Sequence, residues 1–410
     1  MTRITKLLLA LLLCPTLTLA RSIVYAPTVK TLQAVVNDDW LSPPVMKLNG
    51  DVLHVSFDEL SHNYHRYVYR LEHCEYDWTP SQDIFESDWL AGFNNNPIED
   101  YENSLNTTVL YTHYQLRIPN ERCRLTMSGN YRLHIIDEEA DEEVACVEFR
   151  VAEPLMNVGL SVTSNTDIDV NRRHQQVAMT VNYKSLKVTY PEEQIKTVVM
   201  QNGREDNMKR DVRPNYIVPD GLRWEHNRGL IFEGGNEYHK FEVLDVSHPT
   251  LGLDRIVWDG THYQAYPFTC APRRNYVYDE DANGAFCIRN SDNVENENTC
   301  DYVYVNYKLQ PSQQYNGANI MIDGMWTTEQ GNSYVMAYDA NDQSYSASIL
   351  QKQGYYSYQF LMKDLDGTTH TVPEEGSFAE TENTYQALIY YRGTGERTWR
   401  LVGYQQVVFK

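Results

Sequence analysis

The sequence predicts an all-β protein of tandem immunoglobulin-like β-sandwiches. Apolar residues recur at every second position in short runs, the pattern of strands with one buried face. Turn-forming groups such as Asn49-Gly50-Asp51, Pro119-Asn120 and Ser128-Gly129-Asn130 separate those runs. Runs with the 3.6-residue period of a helix are nearly absent.

Taken in order, Met1–Ala20 has the build of a secretory signal. Arg3 and Lys6 precede the apolar stretch Leu7–Leu13, and Thr18-Leu19-Ala20 places small residues where a signal peptidase checks. That stretch is too short to span a bilayer, which takes ~20 residues. Cys14 follows three leucines and precedes Pro15, a poor fit to a lipoprotein signal, so the exported chain is expected to start at Arg21.

A first sandwich is expected over residues 21–153. Leu53-Val55-Phe57 fall on one face with His54 and Ser56 on the other, and Leu110, Tyr114, Leu116 and Ile118 alternate likewise. Tyr131-Leu133-Ile135 and Val147-Phe149-Val151 continue the pattern, with Glu138–Glu143 as an acidic hairpin tip. Tyr131 after Ser128-Gly129-Asn130 looks like a tyrosine corner. Asp83–Asp100 breaks the alternation and reads as a long loop carrying Trp89 and Phe93.

Ala152-Glu153-Pro154 closes this unit, and a middle β unit is expected over 154–300, with strands at Val177-Met179-Val181, Ile195–Gln201 and Phe241-Val243. A third unit is expected over 301–410, from Tyr302–Leu309, Ile320–Ile322, Ser344–Leu350, Tyr356–Met362 and Ala387–Tyr391. Its Gln353–Phe360 run followed by Asp366-Gly367 is similar to the early-set immunoglobulin-like modules of glycogen-binding domains.

Composition narrows the function classes. The formal net charge is −21, and removing Arg3 and Lys6 leaves 33 basic against 56 acidic residues, or −23. Such a surface repels phosphate backbones and anionic lipid, which argues against nucleic-acid binding and electrostatic membrane docking. No later segment is apolar enough to cross as a helix, so no direct membrane insertion is expected. Six cysteines remain after cleavage: Cys74, Cys123, Cys146, Cys270, Cys287 and Cys300. An exported location permits disulfides, and Cys287 with Cys300, at the two ends of a polar loop, are the best-placed pair.

The candidate chemistry is sparse. Asp279-Glu280-Asp281-Ala282-Asn283-Gly284 opens like a calcium loop, but Asn290 stands where a bidentate glutamate belongs, and Asn-Gly is also a favoured tight-turn centre. His62 and His65 have ligand spacing only on a helix, whereas they lie between strands. His73 and Cys74 are adjacent on a strand and so point to opposite faces, which defeats a Cys–His nucleophile pair. No cysteine forms C-x-x-C and no Cys/His spacing suits zinc, so neither a metal, a cofactor nor enzymatic activity is expected. The chain is rich in tyrosine, 31 residues against 11 Phe and 7 Trp, a side chain suited both to sandwich packing and to partly wet interfaces.

Several blocks carry a resemblance: His73–Ser81 (HCEYDWTPS), Asp100–Thr107 (DYENSLNT), Tyr111–Asn120 (YTHYQLRIPN) and Ser128–Leu133 (SGNYRL). Together they resemble the first domain of the type IX secretion system plug proteins of Bacteroidota. Gln201–Asn207 (QNGREDN), Phe232–Glu242 (FEGGNEYHKFE) and Glu375–Arg392 (EGSFAETENTYQALIYYR) fit the same family. The resemblance implies a non-enzymatic periplasmic protein, peripherally associated with an outer-membrane complex. Its implied partner is the giant outer-membrane β-barrel translocon of that system, of the SprA/Sov type, whose periplasmic opening it would seal when no substrate is engaged. Trp89 and Phe93 are the candidate partner-binding residues, with packing back onto their own sandwich as the other reading. A rival function, from the third unit alone, is a glycan-binding sandwich with Trp326, Tyr355 or Trp399 stacking on sugar rings.

Overall fold

The computed structural model describes residues 22–410, so the expected signal segment and its cleavage site lie outside the described residues. Its regular structure is almost wholly β, with three single-turn α-helices at Glu86–Trp89, Pro191–Gln194 and Asn296–Thr299. No described helix is long and apolar enough to cross a membrane.

The period-2 runs fold as pairs of sheets with an apolar core between them. In the first pair, one sheet orders Ile23–Val24, Glu142–Ala152, Gly129–Asp137, Tyr67–Cys74 and Asn96–Pro97, and Val45–Lys47 runs parallel to Glu142–Ala152. The other orders Val29–Val36, Leu53–Glu59, Thr112–Ile118 and Asp100–Asn103. Val55 and Phe57 from one sheet and Leu133, Val147 and Phe149 from the other are fully buried in a single core. Tyr131 is buried there too, and its hydroxyl donates to the Met127 carbonyl at 2.7 Å, which anchors the approach to its strand.

In the second pair, Asn157–Thr163, His174–Asn182, Gly221–Trp224 and Tyr216–Val218 form one sheet, with Ile231–Glu233 added beside His174–Asn182. The opposing sheet orders Lys209–Arg210, Ile195–Gln201, Asn383–Tyr391 and Arg400–Phe409. The third pair is built around two long strands. Gly354–Asp364 pairs with His239–Val243, Phe286–Ile288, Ala318–Asp323 and Thr369–Thr371. Ser344–Lys352 leads the other sheet with Tyr302–Leu309, Tyr263–Pro267, Leu253–Trp258 and Ala337–Asp339.

The divide expected at residue 300 is therefore not where the sheets part. Ile195–Gln201 pairs antiparallel with Asn383–Tyr391, so the C-terminal hairpin closes the second sheet pair rather than the third. His239–Val243, expected in the middle unit, pairs with Gly354–Asp364. The third pair is thus inserted between strands of the second. Alternation identifies a strand but carries no record of its partner, because backbone pairing is indifferent to sequence distance.

Candidate functional site

The blocks that carry the resemblance do not gather around a reactive group. They gather at the joints between the three sheet pairs. Glu75, in the first block, accepts from the Thr398 hydroxyl at 2.7 Å and from the Trp399 N–H at 3.0 Å. Tyr390, in the last block, donates to the Asn130 side chain at 2.7 Å. A small apolar core lies over the same joint, formed by Ala152, Val198, Met200, Leu388, Tyr390, Trp399 and Leu401.

Gln201–Asn207 is the hub of this arrangement. Gln201 donates to the Glu233 carbonyl at 2.8 Å, and Asn202 donates to the Asn383 side chain at 2.7 Å. Gly203 takes φ +68, a left-handed turn that glycine adopts without steric cost. The turn delivers Arg204 to Asp206, gripped at 3.0 and 2.5 Å, and delivers Glu205 to the Arg150 guanidinium of the first pair. Arg150 is 8% exposed and its guanidinium carbon sits 5.0 Å from the Trp78 ring centroid. Burial disfavours its charge, but Glu205 outweighs that and raises its pKa. A cleft of about 260 Å³ opens beside these groups, lined by Trp40, Trp78, Arg150, Glu205, Tyr238 and Met325 among others from all three sheet pairs.

The joint between the second and third pairs uses the other two late blocks. Asn236 donates to the Glu375 carbonyl at 2.7 Å, and Glu237 accepts from the Tyr276 hydroxyl at 2.6 Å. Glu375 faces His239 at 3.0 Å and the Arg273 guanidinium. Burial alone would raise the Glu375 carboxyl, yet His239 and Arg273 hold it down at about 2. Burial works against the His239 charge, but Glu375 prevails and lifts the imidazole to about 10.

The first and third pairs meet over a buried charge network that sequence reading missed. Asp58, fully buried, accepts from Lys352 Nζ at 2.7 Å, the Tyr302 hydroxyl at 2.7 Å and His113 Nδ1 at 2.6 Å. Lys352, 1% exposed, also donates to the Glu297 carbonyl at 2.5 Å and lies 4.1 Å from the Tyr111 ring centroid. Burial pushes the Asp58 carboxyl up, and Lys352 with His113 more than reverse this, leaving it below the usual carboxylate range. Asp301 adds to the seam, accepting from Thr108 N at 2.8 Å and Val109 N at 3.1 Å. The only sequence signal was an unexpected lysine at the end of an otherwise strand-like run.

The other expected residues are placed as follows. Trp89 is 6% exposed, and its ring lies 5.8 Å from that of Tyr131 inside the first core, so it is a packing residue. Phe93 is 75% exposed, and Phe85 nearby in sequence is 71% exposed. Cys287 and Cys300 are separate thiols, and the bridge expected between them is not formed. Burial pushes the Cys300 thiol up to about 12, which makes it a poor nucleophile. Trp326 and Trp399, candidates for stacking on sugars, are 7% and 4% exposed, and Trp326 Nε1 donates to the Ser357 carbonyl at 3.0 Å. Trp326 lies in the turn after Ala318–Asp323 and packs into the third core, and Trp399 lies just before Arg400–Phe409 and packs into the small core over the joint.

His73 sits between the Ser81 hydroxyl at 2.8 Å and the Ser128 carbonyl at 3.3 Å, and burial raises the neighbouring Cys74 thiol. Asn283-Gly284 is the centre of a tight turn closed by the Ala285 N–H on the Ala282 carbonyl at 2.9 Å. His62 donates to the Ser104 carbonyl at 3.1 Å, while His65 faces Glu59 at 3.9 Å.

Comparison with known proteins agrees with this geometry. The family described as "Type 9 secretion system plug protein 1st domain" matches residues 29–153, the first sheet pair. A crystal structure of a hypothetical protein from Parabacteroides merdae ATCC 43184 superposes with a TM-score of 0.91 at 33% identity, over 95% of this chain and 99% of that one. The C-terminal domain of the AgI/II polypeptide BspA from Streptococcus agalactiae aligns over 93% of this chain and 98% of that one at 6% identity, but its TM-score of 0.17 carries no argument. No curated protein matches the chain. With its first sheet pair matched by the family and a full-length structural relative at 33% identity, the chain belongs to the type 9 secretion system plug protein family, a non-catalytic component of the cell envelope.

Proposed function

We propose that the protein is a periplasmic plug. It docks on the periplasmic opening of the giant outer-membrane barrel translocon of the type IX system, of the SprA/Sov type, and seals it when no substrate is engaged. The observation that carries this reading is the buried Lys352–Asp58 contact, with Arg150–Glu205, across the joints of the sheet pairs. Charges desolvated at a joint hold it in one geometry, since separating them costs several kcal/mol. Three β cores held in that way act as one broad, stiff body, which is what covering a wide lumen requires.

The docking surface in this reading includes Phe93 and Phe85 of the first sheet pair. Asn94 donates to Glu86 at 2.9 Å, so the segments carrying the two exposed rings run side by side. The third sheet pair is read as an early-set immunoglobulin-like module, supported by its two facing, mostly antiparallel sheets and the Asp366-Gly367 turn after Gly354–Asp364. The test is affinity capture from detergent-solubilised outer membranes with the wild-type chain and with Phe85→Ala/Phe93→Ala. Capture of the barrel by the wild type and its loss in the equally stable variant support docking through this face. Equal capture by both would move the docking face elsewhere, and no barrel with either would defeat the plug reading. Deleting the protein should admit normally excluded solutes only while the barrel is present.

A further inference from the structure

A second cluster lies away from the joints, on the first sheet pair. His134 and Cys146 are directly opposed on Gly129–Asp137 and Glu142–Ala152, on the face turned away from the apolar core. Glu143 is three residues from Cys146, and in a regular strand an odd separation would put it on the opposite face. The register shifts here. Ile135 opposes Ala145 while Ile136 opposes Glu143, which leaves Val144 as the extra residue of a β-bulge. The bulge turns Glu143 onto the face of His134 and Cys146. One ligand atom from each then lies within 4.8 Å of the others, with His134 Nδ1 2.8 Å from the Glu143 carboxylate.

We propose that His134, Glu143 and Cys146 form a site for a divalent transition-metal ion, of which zinc suits the donor set best. Zinc takes thiolate, imidazole and carboxylate ligands, commonly as three protein ligands plus an open fourth position. Tetrahedral bonds of ~2.0–2.3 Å put ligand atoms about 3.3–3.6 Å apart, inside the span that these three side chains occupy. A deprotonated Cys146 and an ionised Glu143 supply two negative charges for a divalent ion, and binding releases the thiol proton together with the proton that His134 Nδ1 donates to Glu143. Glu72 stands 3.6 Å from His134 Nε2, where its negative charge favours keeping a proton on Nε2 once the ion displaces the one on Nδ1. Glu143 is exposed, which leaves a route for the ion. Arg132, the nearby positive charge, is engaged by Glu148 at 2.9 Å and by Glu72 at 3.8 Å. The site is independent of the plug reading, because it uses none of the joint or docking residues.

The test is equilibrium dialysis of the untagged exported chain against zinc, followed by elemental analysis, with cobalt(II) as an optical probe. One equivalent of zinc is expected, together with a cobalt spectrum containing a thiolate charge-transfer band. Cys146→Ser should abolish the band and most of the zinc, while Glu72→Gln should weaken binding ~10–100-fold as the loss of an orienting partner does. Zinc content near zero, cobalt bound without a thiolate band, or a band that survives in Cys146→Ser would each overturn the proposal. The cobalt spectrum of the wild type decides the matter even if the serine variant fails to fold.

Discussion

Replacing Lys352 by methionine tests whether the joint between the first and third sheet pairs holds the molecule together. The side chain is 1% exposed, and its removal leaves the fully buried Asp58 carboxylate with only Tyr302 and His113 as donors. Breaking one side of a buried ion pair costs ~3–5 kcal/mol because the partner stays desolvated. Two surviving hydrogen bonds place the expected loss near the lower end, about 3 kcal/mol. The assay is urea denaturation followed by tryptophan fluorescence, with Trp78 and Trp89 reporting on the first pair and Trp326 on the third.

The double variant Asp58→Asn/Lys352→Met should recover part of the loss, with a coupling energy of ~1–3 kcal/mol. The pH dependence supplies an independent check. Asp58 has a depressed folded pKa, so its contribution is present above the unfolded carboxyl value and is lost as pH falls through the lower folded value. Lys352→Met should therefore flatten the acid limb of the stability curve. A loss under ~1 kcal/mol, or single-variant effects that simply add, would refute the reasoning.

Three further outcomes are expected. Trp89→Ala should destabilise by ~3–5 kcal/mol, as a buried aromatic does, while Phe93→Ala should change stability by less than ~0.5 kcal/mol; thermal melts of both variants check this. His239, lifted to about 10, contributes stability that is fully present below its unfolded pKa and lost as pH rises through about 10. Glu375, held at about 2, contributes stability present above its unfolded pKa and lost as pH falls through about 2. Glu375→Gln should flatten both limbs, read as melting temperature against pH. Finally, Cys287 and Cys300 should both be alkylated after unfolding without reductant, seen by peptide mass; a protected pair would show that a bridge forms.

The sequence by itself determined the class of structure and the family. Alternation at Leu53-Val55-Phe57 and Tyr131-Leu133-Ile135 is a local property, since side chains two apart on a strand share a face wherever the strand goes. The family blocks were legible for the same reason, as continuous stretches of chain. Partnership was not. Ile195–Gln201 finds its sheet neighbour at Asn383–Tyr391, and only the folded chain could assign the C-terminal hairpin to the second sheet pair.

The fate of Trp89 and Phe93 was likewise a tertiary matter. Trp89 ends the helical turn Glu86–Trp89, whereas Phe93 follows Gly92, whose φ of +112 breaks regular strand geometry and whose missing Cβ would meet the Arg122 carbonyl at 2.1 Å. The two rings therefore part, one into the core and one outward. Spacing rules assume regular elements and so would put Glu143 on the face opposite His134 and Cys146, whereas a single bulged residue, Val144, brings it onto theirs. Asp58 and Lys352 are 294 residues apart, so the charge pair at the joint has no local signature. What the residues do alone could be read along the chain. What they do to one another depends on distance in space, which only the tertiary structure sets.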